Sequence, residues 1–277
     1  MESMGALQPG LPNPAMLPHH WPLLIIDLKD CFFTIKLHPA DTPRFAFTLP
    51  ALNREGPDQR FEWTVLPQGM KNSPTLCQLF VDSALQPLRK LWPNTVIYHY
   101  MDDILFSQQT PFTDAQLQQI EAVLKQRSLI IAPEKIQRAA PWKYLGWTIT
   151  KSIITPQKLQ LNTNIRTLHD AQHLLGDLQW LRPVVGFPNE LLTPLRPLLR
   201  GTDPAHPILL TDEQQVALQR LLDCVTRGQV HRRRLDLPID LTIWFGAQHL
   251  LGALTQSKKK TGEEWVLEWM GLLPPSR

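Results

Sequence analysis

Val96-Ile97-Tyr98-His99-Tyr100-Met101-Asp102-Asp103-Ile104-Leu105-Phe106-Ser107 sets two runs of β-branched and aromatic residues on either side of two adjacent carboxylates. Such runs predict two short strands, and the Met101-Asp102-Asp103 centre predicts the tight turn that joins them into a hairpin. An isolated Asp-Asp is ordinarily a solvated turn. Two acids at the tip of an apolar hairpin fit that reading poorly, because an unpaired ionised carboxylate beside apolar neighbours carries a penalty of several kcal/mol. Acids so placed bind a cation or shift their pKa.

Upstream, Leu23-Leu24-Ile25-Ile26-Asp27 is a continuous apolar run ending in an acid, the pattern of a strand buried on both faces. Phe45 to Thr48 and Arg60 to Val65 predict a second hairpin across the turn-rich Asn53 to Gln59. Leu66-Pro67-Gln68-Gly69 is a turn signature, and Ser73-Pro74 predicts an N-cap followed by proline at the first helical position. Leu76, Phe80, Ala84 and Leu88 then give a helix over 73–91, and Leu117, Ile120 and Leu124 one over 113–127. The fold class is α+β: an antiparallel sheet bearing Asp27 and the Asp102-Asp103 hairpin, backed by two helices. If the first strand lies beside the hairpin, three carboxylates meet at one sheet edge. Oxygen ligands of that kind select hard cations such as Mg2+ or Mn2+. Two such ions about 3.5–4 Å apart activate an attacking hydroxyl and stabilise a leaving pyrophosphate.

Downstream, Tyr144 to Ile149 and Ile153-Ile154 suggest another hairpin. From Lys158 the pattern turns helical through Ile165, Leu168, Gln172, Leu175 and Leu178, with Pro183, Pro188, Pro194 and Pro197 cutting it into pieces. Thr211-Asp212-Glu213-Gln214 is a capping box. His231-Arg232-Arg233-Arg234 reads as a phosphate contact or, equally well, a solvated loop, and Leu241 to Phe245 alternates like a strand. His169 and His173 lack a third ligand and read as a polar helix face. The net charge of +3 over 277 residues is compatible with a polyanionic partner but does not demand one. Cys31, Cys77 and Cys224 are too sparse for a disulfide framework, which points to a reducing, cytoplasmic setting. No apolar run reaches the ~18 to 20 residues that span a bilayer, so no membrane is expected as a partner.

Tyr100-Met101-Asp102-Asp103, with Asp27 and Leu66-Pro67-Gln68-Gly69 before it and Leu145-Gly146-Trp147 after it, resembles the reverse transcriptase of retroviruses. Trp21 to Phe33 and Leu66 to Pro74 are most similar to the beta-type, class II endogenous retroviral polymerases. A different palm enzyme, such as a nucleotide cyclase, does not account for the Leu-Pro-Gln-Gly and Leu-Gly-Trp segments. The resemblance implies an RNA-directed DNA polymerase using two Mg2+ ions, or Mn2+, on an RNA or DNA template with a primer and deoxynucleoside triphosphates. It implies Asp27, Asp102 and Asp103 as catalytic metal ligands, with the Leu28 carbonyl as a backbone ligand. Asp30 and Cys31 would set backbone amides against the triphosphate, and Phe32 would exclude a ribose 2′-hydroxyl. Gln68 would touch the nucleotide sugar, and Lys135 would serve as proton donor or phosphate contact. Gly69 and Pro74 would lie under the template, Tyr100 and Met101 would border the primer, and Tyr144, Leu145, Gly146 and Trp147 would grip it.

The implied organisation is an extended remnant over 1–22, a palm with residual fingers over 23–157, a helical thumb over 158–229 and a partial connection over 230–277. In the family more residues precede the first palm strand, and they carry basic groups that clamp the triphosphate. Each such charge-assisted bond is worth about 1.5–3 kcal/mol. Extension by these residues alone is therefore expected to be weak or absent, and the alternative is a non-catalytic nucleic-acid- or partner-binding remnant. A ribonuclease H domain is expected on the parent polyprotein rather than here. Dimerisation with another Pol chain and association with the virion are the remaining expectations.

Overall fold

The computed structural model describes residues 13–51, 53, 56–157, 161, 163–245 and 250–271. The lead-in expected over 1–22 lies outside the described residues as far as Pro12, and from Asn13 it begins with a 3-10 turn over Pro14–Met16 that buries Ala15. Two compact units form, one over Pro22–Arg138 and one over Asn13–Trp21 with Ala139–Arg277.

The first unit runs β1 (Leu23–Asp27), α1 (Cys31–Thr34), β2 (Ala46–Leu49), β3 (Gln59–Glu62), α2 (Ser73–Leu91), β4 (Val96–Tyr100), β5 (Asp103–Ser107) and α3 (Asp114–Lys125). Its main sheet has the order β1-β5-β4, all antiparallel. β5 is central, and Ile104, Leu105 and Phe106 are fully buried, as a strand covered on both faces requires. Leu24 and Ile26 of β1 share a core with Val81, Leu85 and Leu88 of α2 and with Ile120 and Leu124 of α3. β2 and β3 pair as the second hairpin.

The start of α2 differs from expectation. Ser73 is the first helical residue rather than the cap, and Pro74 is the second. The Ser73 hydroxyl donates to the Pro67 carbonyl at 2.5 Å, tying the helix start to the Leu66–Gly69 turn instead of capping it. α2 also continues through Pro87. Interior proline costs roughly 3 kcal/mol, a loss offset by burial of Leu85 and Leu88 at about 1.5–3 kcal/mol each.

In the second unit β6 (Trp142–Tyr144), β7 (Trp147–Ile149), β8 (Ile153–Pro156) and β9 (Val230–His231) form one antiparallel sheet in that order. The helices α4 (Leu168–Leu181) and α5 (Asp212–Arg227) each open on a capping box, Thr167 with Asp170 and Thr211 with Gln214. Leu174, Leu178 and Leu181 pack with Leu195 and Leu221 in a second core. β10 (Asp240–Phe245), β11 (Leu250–Lys258) and β12 (Glu263–Gly271) complete the unit as a further antiparallel sheet.

The basic run is not the solvated loop or phosphate contact that its sequence suggests, since Arg232 lies inside the protein. Arg232 is 1% exposed, and its guanidinium donates to the carbonyls of Thr150 at 3.0 Å, Lys151 at 3.4 Å and Trp21 at 2.7 Å. Pairing of β9 with β8 draws it inward, where a fork of N–H donors satisfies backbone acceptors. Arg234 stacks over the Trp265 ring at 4.1 Å. Among the described residues no helix is long and apolar enough to cross a membrane.

Candidate active site

Antiparallel pairing of β1 with β5 sets Asp27 directly opposite Asp103. The neighbouring bond from Leu28 N to Asp102 O at 2.9 Å makes this a non-hydrogen-bonded pair, the position at which facing side chains stand closest. The acids meet because the β1 run and the β5 run both end at the same edge of the sheet. Burial raises the Asp103 carboxyl to about 6, with the charges of Asp102 and Asp27 adding to the rise. Asp102 is also raised, first by burial and then by Asp27, while a backbone hydrogen bond and Lys135 oppose the shift.

Lys135, in a 3-10 turn over Pro133–Lys135, donates to Asp27 Oδ1 at 2.8 Å. That bond raises the lysine pKa. A cleft of about 250 Å3 is lined by Asp27, Asp103, Glu134 and Lys135 together with Ile25, Ile136 and Gln137. Three carboxylates on one edge are the hard oxygen donor set that a divalent cation satisfies, and such a cation would offset the burial, and secondly the mutual repulsion, that raises Asp102 and Asp103. Among the described residues no three acidic, histidine or cysteine side chains already stand as an ion-enclosing cluster. Asp27 has its ammonium partner instead.

Leu28 is buried, and its amide joins β1 to the hairpin tip. Asp30 takes a left-handed φ of 49° and leads into α1, where Cys31 is buried with its Sγ 3.5 Å from Cys77 Sγ. Phe32 is half-buried and leans on the first core. Gln68 is exposed, and Gly69 takes φ 86°, the positive value that the third residue of a type II turn requires. Tyr100, whose hydroxyl pKa burial raises, pairs with Asp103 across the turn. Tyr144, Leu145, Gly146 and Trp147 belong to the second unit, where Leu145 and Gly146 turn β6 into β7. His173 pairs with Asp177 at 3.1 Å.

Met101 holds φ 53° while Asp102 is not left-handed, the pattern of a type II′ turn, which normally has glycine first. A left-handed φ costs a non-glycine residue roughly 1–2 kcal/mol. Its amide donates to Gln78 Oε1 at 2.6 Å, and Gln78 Nε2 donates to the His99 carbonyl at 3.2 Å. Burial lowers the His99 pKa, so the ring is neutral at pH 7. Sequence reading missed Gln78, His99 and Arg89. The available signal was the spacing of Gln78, Asp82, Gln86 and Arg89 along one side of an otherwise apolar helix.

An antiparallel sheet with acids at the shared end of its strands, followed by a helical unit, defines a polymerase palm with its thumb. The chain belongs to the reverse transcriptase family. Residues 1–149 match the family of reverse transcriptase (RNA-dependent DNA polymerase), and residues 156–219 match the reverse transcriptase thumb domain. It is 46% identical over 246 residues to the Gag-Pro-Pol polyprotein of mouse mammary tumor virus (strain BR6), covering 88% of this chain and 14% of the polyprotein. The Gag-Pro-Pol polyprotein of sheep pulmonary adenomatosis virus is 46% identical over 237 residues, covering 83% of this chain and 14% of that one. That of squirrel monkey retrovirus is 43% identical over 246 residues, covering 88% and 13%. The chain thus spans about one seventh of the length of these relatives. As a family, reverse transcriptases act with divalent metals and bind template, primer and deoxynucleotides.

Proposed function

We propose that the first unit is the catalytic palm of an RNA-directed DNA polymerase that adds deoxynucleotides to a primer 3′-hydroxyl. The observation that carries this reading is the close cross-strand pair of Asp27 and Asp103 with Asp102 beside it. Asp27, Asp102, Asp103 and the Leu28 carbonyl would hold two Mg2+ ions, or Mn2+. When bound, the metals lower the pKa of the attacking hydroxyl and offset charge on the leaving pyrophosphate.

The residues of the chain do the rest. Lys135, paired with Asp27 at 2.8 Å, would exchange that partner for a triphosphate oxygen if a cation were held at Asp27. Asp30 and Cys31 present backbone amides to the phosphates. The half-buried Phe32 ring is held by the core, so it acts as a fixed wall against a 2′-hydroxyl. Gln68 contacts the sugar, Gly69 and Pro74 support the template, and Tyr100 and Met101 border the primer end. The hairpin Tyr144 to Trp147 and the α4–α5 helices grip the duplex. Dimerisation with another Pol chain and association with the virion belong to the same proposal, and the Gag-Pro-Pol nature of the relatives supports the second.

Primer extension on poly(rA) with Mg2+ or Mn2+ tests this reading. Incorporation by these residues alone is expected to be weak and metal-dependent, and Asp102→Asn should remove what there is, since losing the metal-centred stabilisation costs several kcal/mol. Salt-dependent template–primer binding without any incorporation would instead favour a non-catalytic nucleic-acid-binding role.

A further inference from the structure

The β4 strand is at the edge of its sheet, so the backbone groups on its outer side have no strand to pair with. Helix α2 supplies partners for three of them. Arg89 Nη1 donates to Ile97 O at 2.6 Å, Gln78 Nε2 donates to His99 O, and Met101 N donates to Gln78 Oε1. Ile97, His99 and Met101 follow the two-residue period of a strand edge, while Gln78, Asp82 and Arg89 follow the turn spacing of one helix face.

The His99 ring closes the network. Its Nε2 lies 3.2 Å from the Gln78 carbonyl, which only accepts, so Nε2 carries the proton. Its Nδ1 therefore accepts from Arg89 Nη2 at 3.4 Å, and Asp82 Oδ1 holds the same guanidinium nitrogen at 3.5 Å.

We infer that Gln78 is a positioning residue for the Asp102-Asp103 tip. Its planar amide binds His99 O with one end and Met101 N–H with the other, so a single rigid group sets the spacing of the last backbone atoms before the acids. Met101 is the residue whose positive φ the sequence does not favour, and Gln78 holds its amide at 2.6 Å. The consequence for metal binding rests on the polymerase reading above; the geometric clamp does not.

The test uses the full chain with Gln78→Leu, which keeps the shape and removes both hydrogen bonds, and Gln78→Glu, which keeps the acceptor for Met101 and removes the donor to His99. The matched control is Gln86→Leu, since the Gln86 amide donates to Asp82 Oδ2 rather than to β4. Hydrogen exchange followed by mass spectrometry on 96–107 should quicken about tenfold in Gln78→Leu and stay unchanged in the control. Mn2+ affinity, read by electron paramagnetic resonance, should weaken by about tenfold, the loss typical of removing a partner one shell beyond a ligand. The kcat of extension should fall with KM for the deoxynucleotide and template–primer Kd held, and Gln78→Glu should lie between wild type and Gln78→Leu. Exchange in Gln78→Leu equal to wild type, or an equal effect in Gln86→Leu, would overturn the inference. Should Gln78→Leu unfold, the intermediate exchange of Gln78→Glu decides. If the wild type takes up no Mn2+, the metal reading fails while exchange still decides the clamp.

Discussion

Two hairpins, one in each unit, solve the same problem in different ways. β4 and β5 turn through Met101-Asp102, and β6 and β7 turn through Leu145-Gly146. Leu145 and Gly146 take φ 47° and 81°, the two positive values of a type I′ turn, with glycine at the second. Met101 takes its positive φ with no glycine in the turn. Each turn is held by one helix side chain: Gln78 of α2 accepts from Met101 N, and Trp180 of α4 donates from Nε1 to Leu145 O at 2.7 Å. The β6–β7 turn places glycine at one of its two positive-φ positions and a strained Leu145 at the other. The β4–β5 turn carries two acids and no glycine, so all of its positive φ falls on Met101, whose amide Gln78 holds.

The largest effect expected in the second hairpin is that of Gly146→Ala. A Cβ there meets an unfavourable φ, while Trp180 Nε1 at 3.4 Å would be in ordinary contact with it. The backbone strain should cost about 1–2 kcal/mol, read by urea unfolding. Gly69→Ala is the reference, because φ is 86° there and nothing lies within 4 Å of the added atom. Its cost should be about the same. A clearly larger loss at Gly146 would show that the added atom also disturbs the Trp180 bond to Leu145 O, and that this clamp has no slack.

The sequence carried more of the first unit than of the second. The apolar runs at 23–27 and 104–106 announced strands buried on both faces, and the acids at their ends announced the meeting of Asp27 with Asp103, because composition and position coincide there. Tyr144 to Ile149 reads as one strand in the sequence, yet Leu145-Gly146 turns it into β6 and β7, and the glycine was the signal for that turn. The ion pair of Asp27 with Lys135 joins residues far apart in sequence, and the pairing is set by the fold. Gln78 is an ordinary helical residue by type; only the edge position of β4 makes it a clamp. The basic run misled for a related reason. Arg232 is buried because the short β9 pairs with β8, and two residues carry too little pattern to foretell a strand.

Trp180→Phe probes the second clamp alone. The ring remains, and the donor to Leu145 O is lost, which should cost about 1–1.5 kcal/mol, the range for a single partly buried hydrogen bond. Hydrogen exchange over 142–149 should rise while that over 96–107 stays as in wild type. A rise in both would mean that the two hairpins are not independently clamped.

The smallest expected effect compares the carboxylates of the two units. Asp103 is raised to about 6 by burial and by two neighbouring acids, whereas Glu268 in β12 is raised to about 7 by burial, opposed by a hydrogen bond with Asn13. Glu268 Oε2 has no hydrogen-bond partner. A folded-state pKa above the unfolded one means stability that is fully present below about 4.5 and lost as pH rises through about 7. Glu268→Gln stays neutral throughout, so it should match wild type near pH 5 and exceed it at pH 8 by on the order of 1 kcal/mol, after allowance for solvent screening. Asp103 has the same sign, but under the proposed function a divalent cation would reverse the penalty there. Mn2+ at pH 8 should therefore stabilise wild type and Glu268→Gln by the same increment, and Asp103→Asn by less. If Glu268→Gln abolished the Mn2+ increment, the raised carboxylate of the second unit would be the metal ligand, and the assignment of the hairpin tip would fall.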